Sequence, residues 1–362
     1  MMREKRIDIL ALNETHLDED SVDKIHSRFG KRLFLLNSPN PESPNAKEGV
    51  TVVLNKERTN VQDIQSQVLV PGRAILISVA WHASLVFTYL AVYAPNKKKE
   101  NQRFWDTLYT KILSDASIPI PDAMGGDLNI VEDPMDRMPM KKDHRGATRA
   151  LQRLTEALQL KDGWREQNEE VIAFTYRQLS TNSQSRIDRI YVSQDTLNVS
   201  QNWDIDTPNF KTDHKLVTAD ITNPNAPYIG RGRPTWPKHL ISGDKKLNDI
   251  VKMKGLELQT ELRHLREGMR PRTDNHNAQT LFKRFKDDIF AECRKRAREV
   301  TPRLKKEIGD LKERIRQITN DAGLDQEEKI LATAVLEEKL QRLELQRYEK
   351  RKAKHPETRS HG

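Results

Sequence analysis

Five short phrases follow one another down the first two thirds of the chain, and each sets polar residues at the end of an apolar run. They are LNETH (12–16), YAPN (93–96), GDLN (126–129), SRIDRIYVS (185–193) and TDH (212–214). Between them they supply Glu14, Tyr93, Asp127, Asn129, Asp188, Asp213 and His214. Carboxylates, a carboxamide, a phenol and an Asp-His pair delivered from several strand ends can hold a divalent cation and activate water. Phosphodiester hydrolysis is the chemistry that such a set implies.

Each residue type suits a part in it. Glu14 closes the run Ile7–Leu12 and offers a hard oxygen donor suited to magnesium. Asp127 and Asn129 occupy alternate positions, so an extended backbone sends both side chains the same way, and the preceding glycines permit close approach to a ligand. One can orient a nucleophile while the other donates to a phosphate oxygen. Tyr93 can donate to a non-bridging oxygen or help to position the cation. His214 can take a proton from water near neutral pH if an acceptor fixes its tautomer. Asp188 is the candidate acceptor, because a lone charge inside its apolar run would be costly, and Asp213 is a second acid near the water. Taken singly, a strand-end acid, an Asp-x-Asn turn or a half-buried tyrosine is an ordinary feature; the fixed order of all five phrases carries the argument.

The elements that must position these residues are visible as apolar runs. Ile7–Leu12, Val50–Leu54, Ile75–Trp81, Leu85–Tyr93, Ile187–Val192 and Leu216–Ile221 are short and rich in β-branched residues, which predicts strands. Phe104, Leu108 and Ile112, and again Leu151, Leu154 and Leu158, have helical spacing. Strands and helices mixed without strict alternation predict an α/β sandwich in which helices cover packed sheets. Pro39–Lys47, with three prolines, reads as a surface loop.

At 362 residues the chain can hold one large domain plus an appendage. Only 36% of residues are hydrophobic and 32% are charged, so part of the chain should lie solvated. Cys293 has no partner for an internal disulfide, nothing at the start reads as a signal peptide, and no run reaches the roughly 20 apolar residues of a membrane span. An intracellular soluble protein, with the nucleus as a fitting compartment, is the expectation. The net charge of +9 is unevenly divided: residues 1–230 carry 29 Lys and Arg against 31 Asp and Glu, whereas residues 231–362 carry 33 against 22. Basic character belongs to the tail, as in a segment that meets nucleic acid.

The texture changes after Thr222. The proline-rich stretch 223–239 predicts a linker, and helical spacing follows at Phe282, Phe285 and Ile289. Leu304, Ile308, Leu311, Ile315 and Ile318 form a 4-3-4-3 stripe that breaks at Asn320–Gly323. Asp325 with Glu328 fits a capping box that restarts a helix carrying Leu336, Leu340 and Leu343. Two antiparallel helices or a short coiled coil are expected, with self-association through the tail as an option.

The order and wording of the five phrases resemble the endonuclease/exonuclease/phosphatase family, the DNase I-like fold, over about residues 7–221. Within it ETHL, VYAPN, GDLN, SRIDRIYVS and TDH most resemble the apurinic/apyrimidinic-type endonuclease domains of LINE-type non-LTR retrotransposon proteins, where a basic helical connector runs toward a reverse transcriptase. The resemblance implies a four-layer α/β sandwich over 1–222, a linker over 223–240 and a basic helical, partly coiled-coil connector over 241–362. It implies a DNA-nicking endonuclease using Mg2+ or Mn2+, with Glu14 and Asp213 at the metal and Asp127, Asn129 and Tyr93 at water and phosphate. His214, held by Asp188, would serve the attack or leaving-group step together with Asp213.

The family's usual first strand, ending in Asn ahead of the Glu motif, has no counterpart here: Met1-Met2 fall in what resembles the helix that follows it, and no reverse-transcriptase signature follows the tail. An absent strand of about three buried side chains, at roughly 1.5–3 kcal/mol each, would weigh against a domain stability of about 5–15 kcal/mol. Losing one supporting side chain costs on the order of 10–100-fold in activity. Folding is thereby more threatened than chemistry. Two alternatives stand beside the nuclease: a phosphoesterase of the same fold acting on RNA, lipid or inositol phosphate, and an inactive remnant whose tail binds nucleic acid.

Overall fold

The computed structural model describes residues 2–81, 85–208, 210–223, 244–300 and 302–353. A helical turn, α1 (Met2–Lys5), leads into β1 (Ile9–Asn13), followed by α2 (Glu19–Phe29), β2 (Leu33–Ser38) and β3 (Val50–Asn55). These three strands form an antiparallel sheet in the order β1-β3-β2. The central strand reads VTVVLN and is buried throughout. Val53 faces outward to Leu10 and Leu35, with Val22 and Ile25 of α2 packed over them, and Val50, Val52 and Leu54 face inward. Along its other edge β1 pairs with no strand among the described residues, while Met2, Ile7 and Leu216 join the cluster around Leu10.

A second sheet begins with β4 (Gln65–Val70), β5 (Ala74–Ala80) and β6 (Val86–Tyr93). After α3 (Lys98–Ser114) come β7 (Ala123–Asp127), the short β8 (Arg137–Met138), α4 (Arg145–Ala157), β9 (Leu160–Asp162) and α5 (Gly163–Gln167). Then follow β10 (Tyr176–Arg177), β11 (Gln184–Ser185), β12 (Asp188–Ser193), α6 (Gln194–Asn198), β13 (Ser200–Asp206) and β14 (Leu216–Ile221). The six-stranded order is β4-β5-β6-β7-β12-β9, with β10-β11-β8 and β13-β14 as smaller sheets. Within the six, only β6 and β7 run parallel, because α3 crosses between them.

Alternation decides which face meets what. Ile75, Ile77 and Val79 of β5 and Ala91 and Tyr93 of β6 meet β3 in the seam between the sheets. Leu76, Leu90, Val92 and Met124 face the other way, onto Phe104, Trp105 and Leu108 of α3 and Leu151 and Leu154 of α4. The layers are therefore helix, sheet, sheet, helix: the four-layer α/β sandwich, followed by a helical tail. The apolar run Leu33–Leu36 forms β2, which is not among the expected strands, whereas β4, β13 and the short β8 to β11 have no clear apolar run. The loop around Pro39–Lys47 holds neither strand nor helix.

The described tail consists of α7 (Lys245–Arg266), α8 (Ala278–Val300), α9 (Pro302–Asn320) and α10 (Gln326–Ala353). The expected linker lies mostly outside the described residues. Two compact units result. One joins the described residues up to 223 with Ile315–Gln341, and the other joins 244–314 with 342–353. In the second, α7 starts under an Asp244 cap on the Leu247 N–H at 3.1 Å, Arg296 pairs with Asp244 at 2.7 Å and Lys254 with Asp288 at 3.1 Å.

The first unit thus includes a helical hairpin. Its turn carries the expected capping box, with Glu328 N donating to Asp325 Oδ1 at 2.8 Å and Asp325 N to Glu328 Oε2 at 3.1 Å. Of the expected Leu336, Leu340 and Leu343 only Leu340 is buried; in this unit the buried stripe of α10 is Ile330, Thr333, Glu337 and Leu340, and Val335 stands 70% exposed. Two of those four are polar, so apolar periodicity alone could not reveal the stripe.

Candidate catalytic site

Three strand ends of the larger sheet place three side chains in one row. Tyr93 of β6 lies in register with Asp127 of β7, and Asp127 lies directly opposite Asp188 of β12. All three point into the seam, since they share the face of Ala91 and Gly125. The close parallel approach of β6 and β7 depends on Gly126, which has φ +147°; a Cβ there would stand 1.8 Å from the Val92 carbonyl oxygen. His214 joins from the loop before β14, its Nδ1 2.9 Å from Asp188 Oδ2. Asp127, Asp188 and His214 bring one ligand atom each to within 4.8 Å of the others.

From the opposite sheet, the end of β1 closes over this row. Glu14 accepts a hydrogen bond from the Tyr93 hydroxyl. The turn that carries it is left-handed at Glu14 (φ 53°) and His16 (φ 47°), which is costly for side chains of that size. Backbone bonds from Thr15 N to Gly49 O and from His16 N to Glu48 O, both at 3.3 Å, brace it. Asn13 bridges the two sheets: with its amide turned to satisfy both ends, Oδ1 accepts from Asp127 N at 2.7 Å and Nδ2 donates to Val92 O at 3.3 Å.

The site's charges are not balanced among themselves. Burial raises the Asp127 carboxyl well above the usual range, and the like charges of Asp188 and Glu14 add to it; His214 and the Asn129 N–H offset this only in part. Burial opposes the charged form of His214, yet the hydrogen bond and charge of Asp188, with Asp127 and Asp213 behind it, raise its pKa to about 9. Tyr93 is raised by burial and by Glu14, so it stays a neutral donor.

On the other side of β12 the charges are fully met. Arg186 is bound to Asp136 at 2.7 Å and to Asp162 at 2.7 Å, and Arg189 to Glu132 at 2.8 Å and to the Tyr191 hydroxyl at 2.9 Å. Burial would push Asp136 up, but Arg186, Arg189 and Arg165 hold it below the ordinary carboxylate range.

The segment matching the endonuclease/exonuclease/phosphatase family model is residues 1–214, more than half of the chain and the whole of this constellation. The chain belongs to that family. An uncharacterized 149 kDa protein of transposon TX1 from Xenopus laevis is 36% identical over 156 residues, covering 41% of this chain and 11% of that protein's length. Among solved structures, an AP endonuclease from Archaeoglobus fulgidus matches 61% of this chain and 91% of its own at 16% identity and TM-score 0.50, which shows the shared fold. The endonuclease domain of TRAS1, a telomere-specific non-LTR retrotransposon, matches 62% and 90% at 14% identity and TM-score 0.43.

In this family member the seven expected residues do not all stand alike. Tyr93, Asp127, Asp188 and His214 converge, and Glu14 reaches them through Tyr93. Asn129 sits beside them in a left-handed turn (φ 55°), its N–H on Asp127 Oδ1 at 2.9 Å and its amide on Ala94 O at 2.8 Å. Asp213 is exposed at the rim and acts on His214 through its charge.

Four contributors went unread in the sequence. Asn13 sat inside LNETH without an assigned task. Tyr176 places its ring 4.8 Å from that of His214. Thr175 Oγ1 accepts from the N–H of Asp188 at 3.0 Å. Asn101 of α3, fully buried, donates to Pro95 O and Leu128 O at 2.9 Å each, and Trp105 Nε1 donates to its Oδ1 at 2.7 Å. No helix of the described residues is long and apolar enough to cross a membrane.

Proposed function

We propose that this chain is a divalent-cation-dependent phosphodiesterase that nicks DNA, as in the endonuclease of a non-LTR retroelement. The observation that carries the reading is the cross-strand row Tyr93–Asp127–Asp188 with His214 held on Asp188. The site fits a hard cation: Glu14 brings a carboxylate to a row in which the charges of Asp188 and Glu14 already raise the Asp127 carboxyl, so that positive charge would be welcome there. Magnesium or manganese would polarise the phosphate and lower the pKa of bound water. Glu14 is the proposed oxygen ligand, with Asp213 at the rim as the second.

The chain's own groups then divide the proton work. Asp127, a stronger base than an exposed carboxylate, takes the proton of the attacking water. His214 is an imidazolium at neutral pH; Asp188 fixes its Nδ1–H, and the other ring nitrogen donates to a phosphate or leaving oxygen. Tyr93 and Asn129 orient the phosphate. DNA as the substrate is supported by the transposon relative.

Nicking of supercoiled plasmid by the purified chain in magnesium tests this. Wild type should nick, chelation should stop it, and Glu14→Ala and His214→Ala should each remove most of the activity. Equal nicking by wild type and both variants would sink the assignment.

A further inference from the structure

We infer that the hairpin Ile315–Gln341 is a positioning element of the candidate site, with Glu337 as its principal residue. The observations come from the loop that carries His214. That loop is held to the nuclease body by two backbone bonds, Lys215 N to Thr175 O at 2.6 Å and Arg177 N to Asp213 O at 3.2 Å. His214 itself is held by Asp188, and further tethers on the flanking residues come from one face of α10. Glu337 pairs with Lys215 at 2.7 Å, and Gln341 Nε2 donates to Thr212 O at 2.8 Å. One turn earlier, Ala334 O accepts from Arg177 Nη1 at 3.1 Å. Residues 334, 337 and 341 share a helix face, and they grip the loop on both sides of His214.

The hairpin is placed to hold that grip. Its tip binds the body through a reciprocal pair, Ile172 N to Asn320 Oδ1 at 2.9 Å and Asn320 Nδ2 to Ile172 O at 3.1 Å, and through Met140 N to Gln326 Oε1 at 2.8 Å. Ile330 packs with Met138 and Phe174. Thr333, fully buried, accepts from Gln184 Nε2 at 3.0 Å. Burying Thr333 and Glu337 on a helix is costly unless each meets its partner; both partners lie on the strand and loop segments around the site. A helix that only covered apolar surface would not need either. Asp188 can fix the imidazole ring, but it does not fix the backbone from which the ring projects, and a misplacement of about 1 Å is enough to cost on the order of 100-fold in rate.

This inference rests on the nuclease reading for its kinetic consequence and on structure alone for the loop, and the experiment separates the two. In the full chain, Glu337→Lys, Lys215→Glu, the double charge swap and the milder Gln341→Ala are compared by hydrogen exchange over residues 211–216 and by plasmid nicking. The single charge variants should speed exchange of the His214 and Lys215 amides while β5 and β6 stay protected, and the swap should restore protection. Nicking should fall by roughly 10–100-fold in kcat with KM little changed, and recover in the swap. Unchanged exchange in Glu337→Lys and Gln341→Ala would overturn the inference whether or not the chain nicks DNA. Altered exchange with wild-type kcat would overturn the catalytic half of it. Loss in the swap as deep as in the single variants would show that mere folding was affected. An inactive wild type with altered exchange would count against the nuclease reading and leave the loop tether standing.

Discussion

Two buried aspartates on either side of β12 live under opposite electrostatic regimes. Asp136 is 2% exposed and ringed by Arg165, Arg186 and Arg189, which hold it low; Asp127 is 5% exposed, faces Asp188 and Glu14, and is driven up. The first arrangement is self-sufficient, since its charges are spent on one another. The second is left with excess negative charge at a strand end that opens on the seam, which is what a cation and a phosphate would complete. Burial of a charge therefore does not mark function; the sign and completeness of its surroundings do.

Exchanging each aspartate for a neutral residue breaks this contrast most sharply. Asp127→Asn should lower nicking by about 10²–10⁴-fold, as expected for loss of a proton acceptor, while thermal unfolding in metal-free buffer shifts upward or not at all. Asp136→Ala should do the reverse, costing about 3–5 kcal/mol because three guanidinium groups lose a buried partner, with its effect on nicking following the loss of fold. Equal destabilisation by both variants would erase the distinction.

A pH series sharpens it. His214, raised to about 9, contributes stability that is complete below its unfolded value of about 6.5 and is lost as pH rises through 9. In metal-free buffer the difference in Tm between wild type and His214→Gln should therefore be largest near pH 6 and shrink between about 6.5 and 9. A difference constant with pH would show that Asp188 and His214 are not coupled as a charged pair.

The smallest effect concerns the tail. Its basic stretches at Lys283–Lys286, Arg294–Arg298 and Lys350–Lys354 reach beyond the described side chains, but residues 231–362 as a whole carry an excess of 11 positive charges. If about five phosphates are engaged, log affinity for duplex DNA against log salt should have a slope of roughly −4 to −5. A slope near zero would leave the tail helices with structural work only.

The sequence announces the site at Tyr93, Asp127 and Asp188 because each stands at one end of a strand, Tyr93 and Asp127 closing theirs and Asp188 opening its own, so that a polar residue borders a signal of burial. It does not announce that the three share one row, since register is decided by the parallel crossover of α3 and by Gly126, neither of which leaves a periodic trace. Strands such as Val50–Asn55 and Leu216–Ile221 are legible as short, mostly apolar runs rich in β-branched residues. The two-residue strands β8, β10 and β11 are not, because nothing that short has a pattern. In α10 the capping box could be read from Asp325 and Glu328, yet the docking face could not, because Thr333 and Glu337 look like solvent residues until Gln184 and Lys215 are set against them. Arg186 and Arg189 were hidden for the same reason: their partners Asp136, Asp162 and Glu132 lie 24 to 57 residues away in the chain.

One carboxamide sets a dimension of the whole arrangement. Asn101 holds the loops after Tyr93 and after Asp127 at a fixed separation, as a gauge block holds the jaws of a caliper, and the Trp105 indole locks the gauge in place. The spacing of those two loops at the candidate site is thus dictated from behind the sheet, by a buried side chain of α3.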